Sequence, residues 1–208
     1  MGPHGRAACT ACNRSGPAGV HSTVVAQLNR RLESDLDAGF VDLVDEMGAM
    51  VVSVASRVGD PSSAEEIVQE TFVRAYRWLS SQEGDLDGLE IRPWLASITM
   101  NLVRNEYRRR GRRPTVPLAD RSAEVLADPG RSVEERIVSI DATDRLARLL
   151  TCLPVPQREA IVLRHVAGLT TRQTAVVMDC PTGTVKSHLS RGLAALRSQL
   201  TDPTQESP

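Results

Sequence analysis

The chain has 208 residues, a length that fits one large domain or two small ones, with 41% apolar residues but only 3% aromatic ones. Its cores must come from Leu, Val, Ile and Ala, and no apolar run approaches the roughly 18 residues needed to span a bilayer. The N-terminus carries arginines but no apolar h-region, so the sequence predicts neither a signal peptide nor membrane insertion, and the expected location is cytoplasmic. The net charge of −1 conceals a partition. Between Asp35 and Glu70 nine acidic residues stand against Arg57; between Arg104 and Arg113 six arginines stand against Glu106; between Pro156 and Leu200 six lysines and arginines stand against Glu159 and Asp179. Such a division points to one basic partner and one polyanionic partner, the alternative being plain solvated helix faces.

In chain order, residues 1–22, "MGPHGRAACTACNRSGPAGV" and the two that follow, have the composition of a disordered tail. Cys9 and Cys12, with His4 and His21 nearby, show ligand-like spacing, but a lone CxxC lacks the four fold-held ligands of a structural zinc site. No metal and no cofactor is assigned. Cys152 and Cys180 sit in apolar surroundings and read as small core residues. From 38 to 58, Phe40, Leu43, Val44, Met47, Val51, Val54 and Val58 recur at steps of three and four, the stripe of an amphipathic helix. "GDPSSAEE" ends it, and Ser63 with Glu66 predicts a capping box for a helix to about Leu79 that buries Ala64, Ile67, Val68, Phe72, Ala75 and Leu79. After a polar loop, Pro93 opens a third helix whose stripe is Trp94, Ile98, Leu102 and Val103, and which finishes in arginines near 110. The three prolines of 111–131 read as a linker. Ser132 with Glu135 caps a helix through Ile137, Ile140, Ala147 and Leu150. "LPVP" breaks it, and Pro156 opens a helix closed by Gly168. Thr170 with Gln173 has capping-box spacing for a helix to about Met178, and "DCPTG" turns the chain into a last helix reaching about Leu200. No strand pattern competes. The expected fold is all-α, two small helical domains joined by a flexible linker.

The last two helices, short and joined by a tight turn, have helix-turn-helix architecture. At 100° per residue, Val185, Leu189, Leu193, Leu196 and Leu200 form one buried stripe. Opposite lies Ser187, with Gly183, Thr184, Ser190 and Arg191 around it; Lys186 and His188 fall on the flanks. Small residues allow close approach, an arginine fork suits guanine, and flanking bases suit phosphates on either wall of a major groove. An ordinary surface helix of a small bundle carries the same residue types, so the wheel alone leaves both readings open.

Three stretches together resemble a known family. "LPVPQREAIVLRHVAGLTTRQTAVVMDCPTGTVKSHLSRGLAALR", "AEEIVQETFVRAYRWL" and "RPWLASITMNLVRNEYRRRGRR" are similar to segments of the bacterial sigma-70 factors of the extracytoplasmic-function (ECF) group, over roughly 36–200. The resemblance implies a sigma domain 2 over 23–112, a linker over 113–132, a helix-turn-helix sigma domain 4 over 133–202 and a short tail over 203–208. It implies docking on the β′ coiled coil of the RNA polymerase core through Glu66, Gln69 and Glu70, and contact with the β flap. The −10 promoter element falls to Asn101, Arg104, Asn105 and Arg108, with Asn101 matching a family asparagine beside a flipped non-template base; an amide supplies both donor and acceptor for such a base. The −35 element falls to Arg172, Gly183, Thr184, Lys186, Ser187, His188, Ser190 and Arg191. Trp94, on the apolar stripe, is expected in the core rather than as a stacking platform.

The sequence departs from the family's usual pattern at Gln173, Thr174 and His188. Gln173 still completes a capping box, while His188 weakens a phosphate contact at neutral pH. The resemblance implies promoter DNA, the polymerase core and an anti-sigma factor as partners. It also implies that polymerase, not this chain, performs the chemistry. No nucleophile–base constellation or phosphate-binding glycine loop speaks for an enzyme. A stand-alone helix-turn-helix regulator explains 156–200 but leaves the acidic helix idle, and a thiol or zinc sensor rests on Cys9 and Cys12 alone.

Overall fold

The computed structural model describes residues 21–81, 86, 88–111 and 145–201, with side chains from 27 to 200 within those spans. The Cys9–Cys12 pair, the linker, the Ser132–Glu135 cap with Ile137 and Ile140, and the C-terminal tail lie outside the described residues. Every described element is helical, as the periodicities predict.

The first module begins with a helix that the 38–58 stripe does not announce. α1 (His21–Ser34) precedes α2 (Leu36–Val58), and the two pack against each other. Asp35 starts α2 by accepting the Ala38 N–H at 3.1 Å, which satisfies one of the helix's orphan donors. The hairpin is tight because Gly39 is buried where the helices approach: a Cβ there would lie 2.6 Å from the Leu32 nitrogen. α2 then buries Leu43, Met47, Val51, Val54 and Val58, five of the seven predicted stripe residues, and stops at Gly59.

The expected capping box at Ser63 is not formed. Asp60 instead caps a short 3-10 turn, Pro61–Ser63, by accepting the Ser62 N–H at 2.8 Å, and Ser63 makes no side-chain cap to α3 (Ala64–Ser80). The Ser63 hydroxyl is taken by Arg110, whose Nη2 donates to it at 2.6 Å. α3 buries Ala64, Ile67, Thr71, Ala75 and Leu79, with Val68 and Phe72 half-buried at the rim. Thr71 is tolerated inside because its hydroxyl donates to the Ile67 carbonyl at 2.7 Å.

α4 (Ile91–Gly111) starts two residues before Pro93, and its burial is broader than the predicted stripe. Ile91, Leu95, Ala96, Met100 and Val103 are all fully buried, while Trp94 and Ile98 are half-buried. A single-face period misplaces the stripe because α2 and α3 cover one side of α4 and a helix of the second module covers another. Trp94 packs on Trp78 with ring centroids 5.0 Å apart, a place at the edge of the core.

In the second module residues 145–151 are helical (α5), and α6 (Val155–Ile161) runs into a π-helical turn, Val162–Val166. The turn is visible in the Ala167 N–H, which donates five residues back to the Val162 carbonyl at 2.8 Å. Gly168 closes the segment at φ +70°, a left-handed conformation that suits glycine. α7 (Thr171–Met178) and α8 (Thr182–Thr201) complete the module, and Gly192 lets α8 approach α6: a Cβ there would meet Ile161 Cδ1 at 2.7 Å. Cys152 is exposed and Cys180 half-buried, so neither is the core residue expected. The π turn and α6 pack on α2, and α7 packs on α4, so the two modules share one continuous apolar core.

The α1–α2 crossing yields a paired prediction. Gly39→Ala forces backbone apart and should destabilise the chain by about 1–3 kcal/mol. Gly48→Ala, in the same helix with nothing within 4 Å of its Cβ, should stabilise by about 0.5–1 kcal/mol. Urea unfolding midpoints of the two variants measure both; a Gly39→Ala midpoint at or above the wild type contradicts the close approach.

Candidate nucleic-acid interface

The acidic residues of α3 sit on its outer side. Glu66 and Gln69 are exposed, with Gln69 Nε2 donating to Glu65 Oε1 at 3.4 Å, and Glu70 pairs with Arg74 at 2.6 Å. Glu66, Gln69 and Glu70 line an open groove of about 500 Å³ whose other wall is Leu102, Asn105, Glu106 and Arg109 of α4. The groove therefore joins the acidic face of α3 to one of the predicted −10 residues.

On α4, Asn101, Asn105 and Arg108 are exposed in one row, as the spacing i, i+4, i+7 requires, and Arg108 Nη1 donates to Asn105 Oδ1 at 2.9 Å. Arg104 does not join that row. Its Nη2 donates to Glu159 Oε2 at 2.9 Å and its Nη1 to the Val177 carbonyl at 3.1 Å, both in the second module. The following arginines are held within the first module. Arg109 and Arg110 each bond Glu106 at 2.8 Å, and Arg110 also reaches Asp60. Hydrogen bonding from Arg109, reinforced by Arg110, outweighs burial and holds the Glu106 carboxyl below its ordinary range. At Asp60 burial opposes ionisation, but the hydrogen bonds from Ser62 and the Arg110 charge prevail and lower its pKa as well. These pairs fasten the C-terminal end of α4 to the turn before α3.

The helix-turn-helix is built as its sequence predicts. Thr170 Oγ1 accepts the Gln173 N–H at 3.2 Å, and Gln173 Oε1 accepts the Thr170 N–H at 2.8 Å, a complete capping box. Thr174 is fully buried and returns its hydroxyl proton to the Thr170 carbonyl at 2.9 Å, which explains how a threonine fits an aliphatic position. Asp179, at φ 52°, turns the chain towards α8.

The outward face of α8 is rotated from the wheel. Its buried side centres on Val185, Gly192 and Leu196; Leu189 and Leu193 are half-buried, and Leu200, expected inside, is 55% exposed. Gly192, invisible to an apolar stripe, shifts that centre, so the exposed row becomes Gly183, Lys186, Ser190, Ala194 and Arg197, with Arg191 beside it. Thr184, Ser187 and His188 are half-buried, and Arg172 on α7 is exposed. Lys186 therefore belongs to the outward face instead of its flank.

Sequence reasoning missed the polar contacts between modules. Arg158 and Glu159 are 8% and 7% exposed within a helix that reads as amphipathic. Arg158 Nη2 donates to the Tyr107 hydroxyl at 3.1 Å, which itself donates to the Val58 carbonyl at 2.6 Å. Arg92 donates to the Ala167 carbonyl at 3.4 Å and Gln173 to Glu90 at 3.1 Å. Nothing in the local pattern marks these residues, because their partners lie more than fifty positions away. Among the described residues no three His, Cys, Asp or Glu side chains gather as a metal site, and no helix is long and apolar enough to cross a membrane.

Comparison with known proteins matches these surfaces to named regions. The family model for sigma-70 region 2 covers residues 43–113, and that for sigma-70, region 4 covers 143–196. The ECF RNA polymerase sigma-E factors of Escherichia coli (strain K12) and Salmonella typhimurium (strain LT2) are each 30% identical over 179 residues, spanning 83% of this chain and 92% of theirs. Two solved structures share the fold at 23% identity. CnrH in complex with the cytosolic domain of CnrY has a TM-score of 0.61 over 87% of this chain and 99% of that one. The sigma factor RpoE of Bartonella quintana, in complex with the anti-sigma factor NepR, has a TM-score of 0.59 over 81% and 98%. The chain belongs to the ECF group of the sigma-70 family and is an RNA polymerase sigma factor, a protein of transcription initiation.

Proposed function

We propose that residues 23–112 dock on the polymerase core through Glu66, Gln69 and Glu70 and read the −10 element through Asn101, Arg104, Asn105 and Arg108. Residues 133–202 read the −35 element through Arg172 and the outward face of α8, and 113–132 link the two. The observation that carries this reading is the shared groove between α3 and α4: the acidic docking face and Asn105 line the same opening, so a polymerase element seated on α3 lies beside the −10 row. The chain then works in the cytoplasm as a specificity subunit, and polymerase catalyses. A basic surface such as the β′ coiled coil complements the acidic face, and the β flap is the partner for the second module. Because CnrH and the Bartonella factor are each bound to another protein, an anti-sigma partner is part of the same proposal.

Docking is tested by reversing charge. Glu66→Lys with Glu70→Lys should weaken association with core polymerase more than tenfold, over about 1.4 kcal/mol. Helicity should survive, since the repulsion that Glu70→Lys introduces against Arg74 costs only about 0.2–0.5 kcal/mol on an exposed helix face. Gel filtration of the double mutant with core enzyme decides; a normal holoenzyme peak removes the docking assignment.

The −35 contacts separate by chemistry. Arg191→Ala should cost about 1–3 kcal/mol at one or two base pairs and relax preference there, as loss of a bidentate base contact does. Lys186, although it lies on the outward face, is a point charge without a guanidinium's fork, so Lys186→Ala should weaken all −35 variants alike and lower the salt slope by about one, as loss of a phosphate contact does. Holoenzyme binding to single-base −35 variants at several salt concentrations distinguishes the two. Exchanged behaviours refute the assignment, and no loss in either means that α8 does not enter the groove.

A further inference from the structure

We infer that Arg109 is a built-in counter-ion of the α3–α4 groove: it stands, from the chain's own side, where a basic group of the docking partner is received, and so limits how tightly a basic partner docks. This rests on the docking reading of α3. Five charged residues line the groove, the carboxylates of Glu66, Glu70 and Glu106 and the guanidiniums of Arg74 and Arg109. Three negative charges against two positive ones leave the groove at −1, so the acidity that draws a basic partner is mostly balanced from within. Each guanidinium holds a carboxylate of its own helix. Arg74 meets Glu70 at 2.6 Å across one turn of α3. Arg109 grips Glu106 with a fork, Nε to Oε2 at 2.8 Å and Nη2 to Oε1 at 3.1 Å. Among the described residues Glu66 is in no ion pair, and it is the carboxylate left open to a partner. Its charge still reaches Arg109. Hydrogen bonding and charge from Glu106 outweigh burial and, with Glu66 adding to them, push the Arg109 guanidinium above its ordinary range.

The fold does not need Arg109 for this pair. Glu106 is already bonded by Arg110, which reaches on to Asp60, Ser62 and Ser63 and ties down the end of α4. Arg109 holds Glu106 and nothing else, and its side chain is 64% accessible against 35% for Arg110. An exposed pair of this kind adds little to stability, because water screens it and two long side chains must be ordered to make it. Its effect lies in the field it sets over the groove. An incoming ammonium or guanidinium gains from Glu66 but is repelled by Arg109 unless Arg109 swings off Glu106, and either course weakens docking. The groove therefore suits a partner that brings one basic side chain beside an apolar contact for the exposed Val73, and it disfavours a polybasic one.

The test uses the full chain and core polymerase, with Arg109→Lys, Arg109→Gln and Arg109→Glu, and follows association by stopped-flow fluorescence. At low salt Arg109→Gln should bind core about two- to fivefold tighter than wild type, the range an exposed charge pair contributes, chiefly through faster association. Arg109→Glu should exceed it, and Arg109→Lys, which keeps the charge, should match wild type. The differences should vanish at about 1 M salt, where the Debye length falls to about 3 Å. Damage to the fold would weaken binding in every variant, so a gain ordered by charge is a result that a merely structural role does not give. Arg109→Gln binding at or below wild-type strength overturns the inference. So does an Arg109→Lys chain that tightens like Arg109→Gln, or a gain that persists at high salt. The chain with Glu66→Lys and Glu70→Lys separates the two readings. If it binds core normally, the docking reading fails and this inference falls with it. If it loses core while Arg109→Gln brings no gain, docking stands and Arg109 has no part in it.

Discussion

The architecture depends on α4 having three neighbours at once. One side of the helix supplies Ile91, Leu95, Met100 and Val103 to the core with α2 and α3. A second carries the exposed row Asn101, Asn105 and Arg108. A third gives Arg92 and Arg104 to the other module. At 3.6 residues per turn a helix of this length has room for such a division only if each side is narrow. That is why the apolar residues of α4 spread around its circumference, and why the polar row is a single line. Any rotation of α4 about its axis would trade a core contact for a solvent-facing one, so the packing of Leu95 and Met100 fixes the outward aim of Asn101.

The same division sets what could be read from the sequence. Most of the apolar stripes of α2 and α3 were legible in their periodicities, and the Thr170–Gln173 cap is where the spacing puts it. The stripe of α4 was displaced because two partners cover it from different directions. The Ser63–Glu66 spacing misled for a related reason, since the Ser63 hydroxyl is claimed by Arg110, forty-seven positions away. On α8 the buried centre includes Gly192, a residue with no side chain to register in an apolar pattern. Each miss has a long-range partner that local spacing cannot contain. The proposed functional surfaces rest on motif resemblance and charge, while the contacts between modules left no local trace.

The arginine run at the end of α4 shows how far a charge count can mislead about DNA contact. Its excess of positive charge reads as a phosphate-binding surface, yet the described arginines divide by partner. Arg109 and Arg110 neutralise Glu106, and Arg110 also meets Asp60 and Ser63, which anchors the helix end. Arg104 faces Glu159. Arg108 bonds only a neutral amide, Asn105, and keeps its full charge towards solvent. Counterion release counts the charges that neutralise phosphates, not those already neutralised by the protein. Among the arginines of residues 104–110, Arg108 alone faces no carboxylate, so the charge that the sequence presents as one block is largely neutralised within the fold.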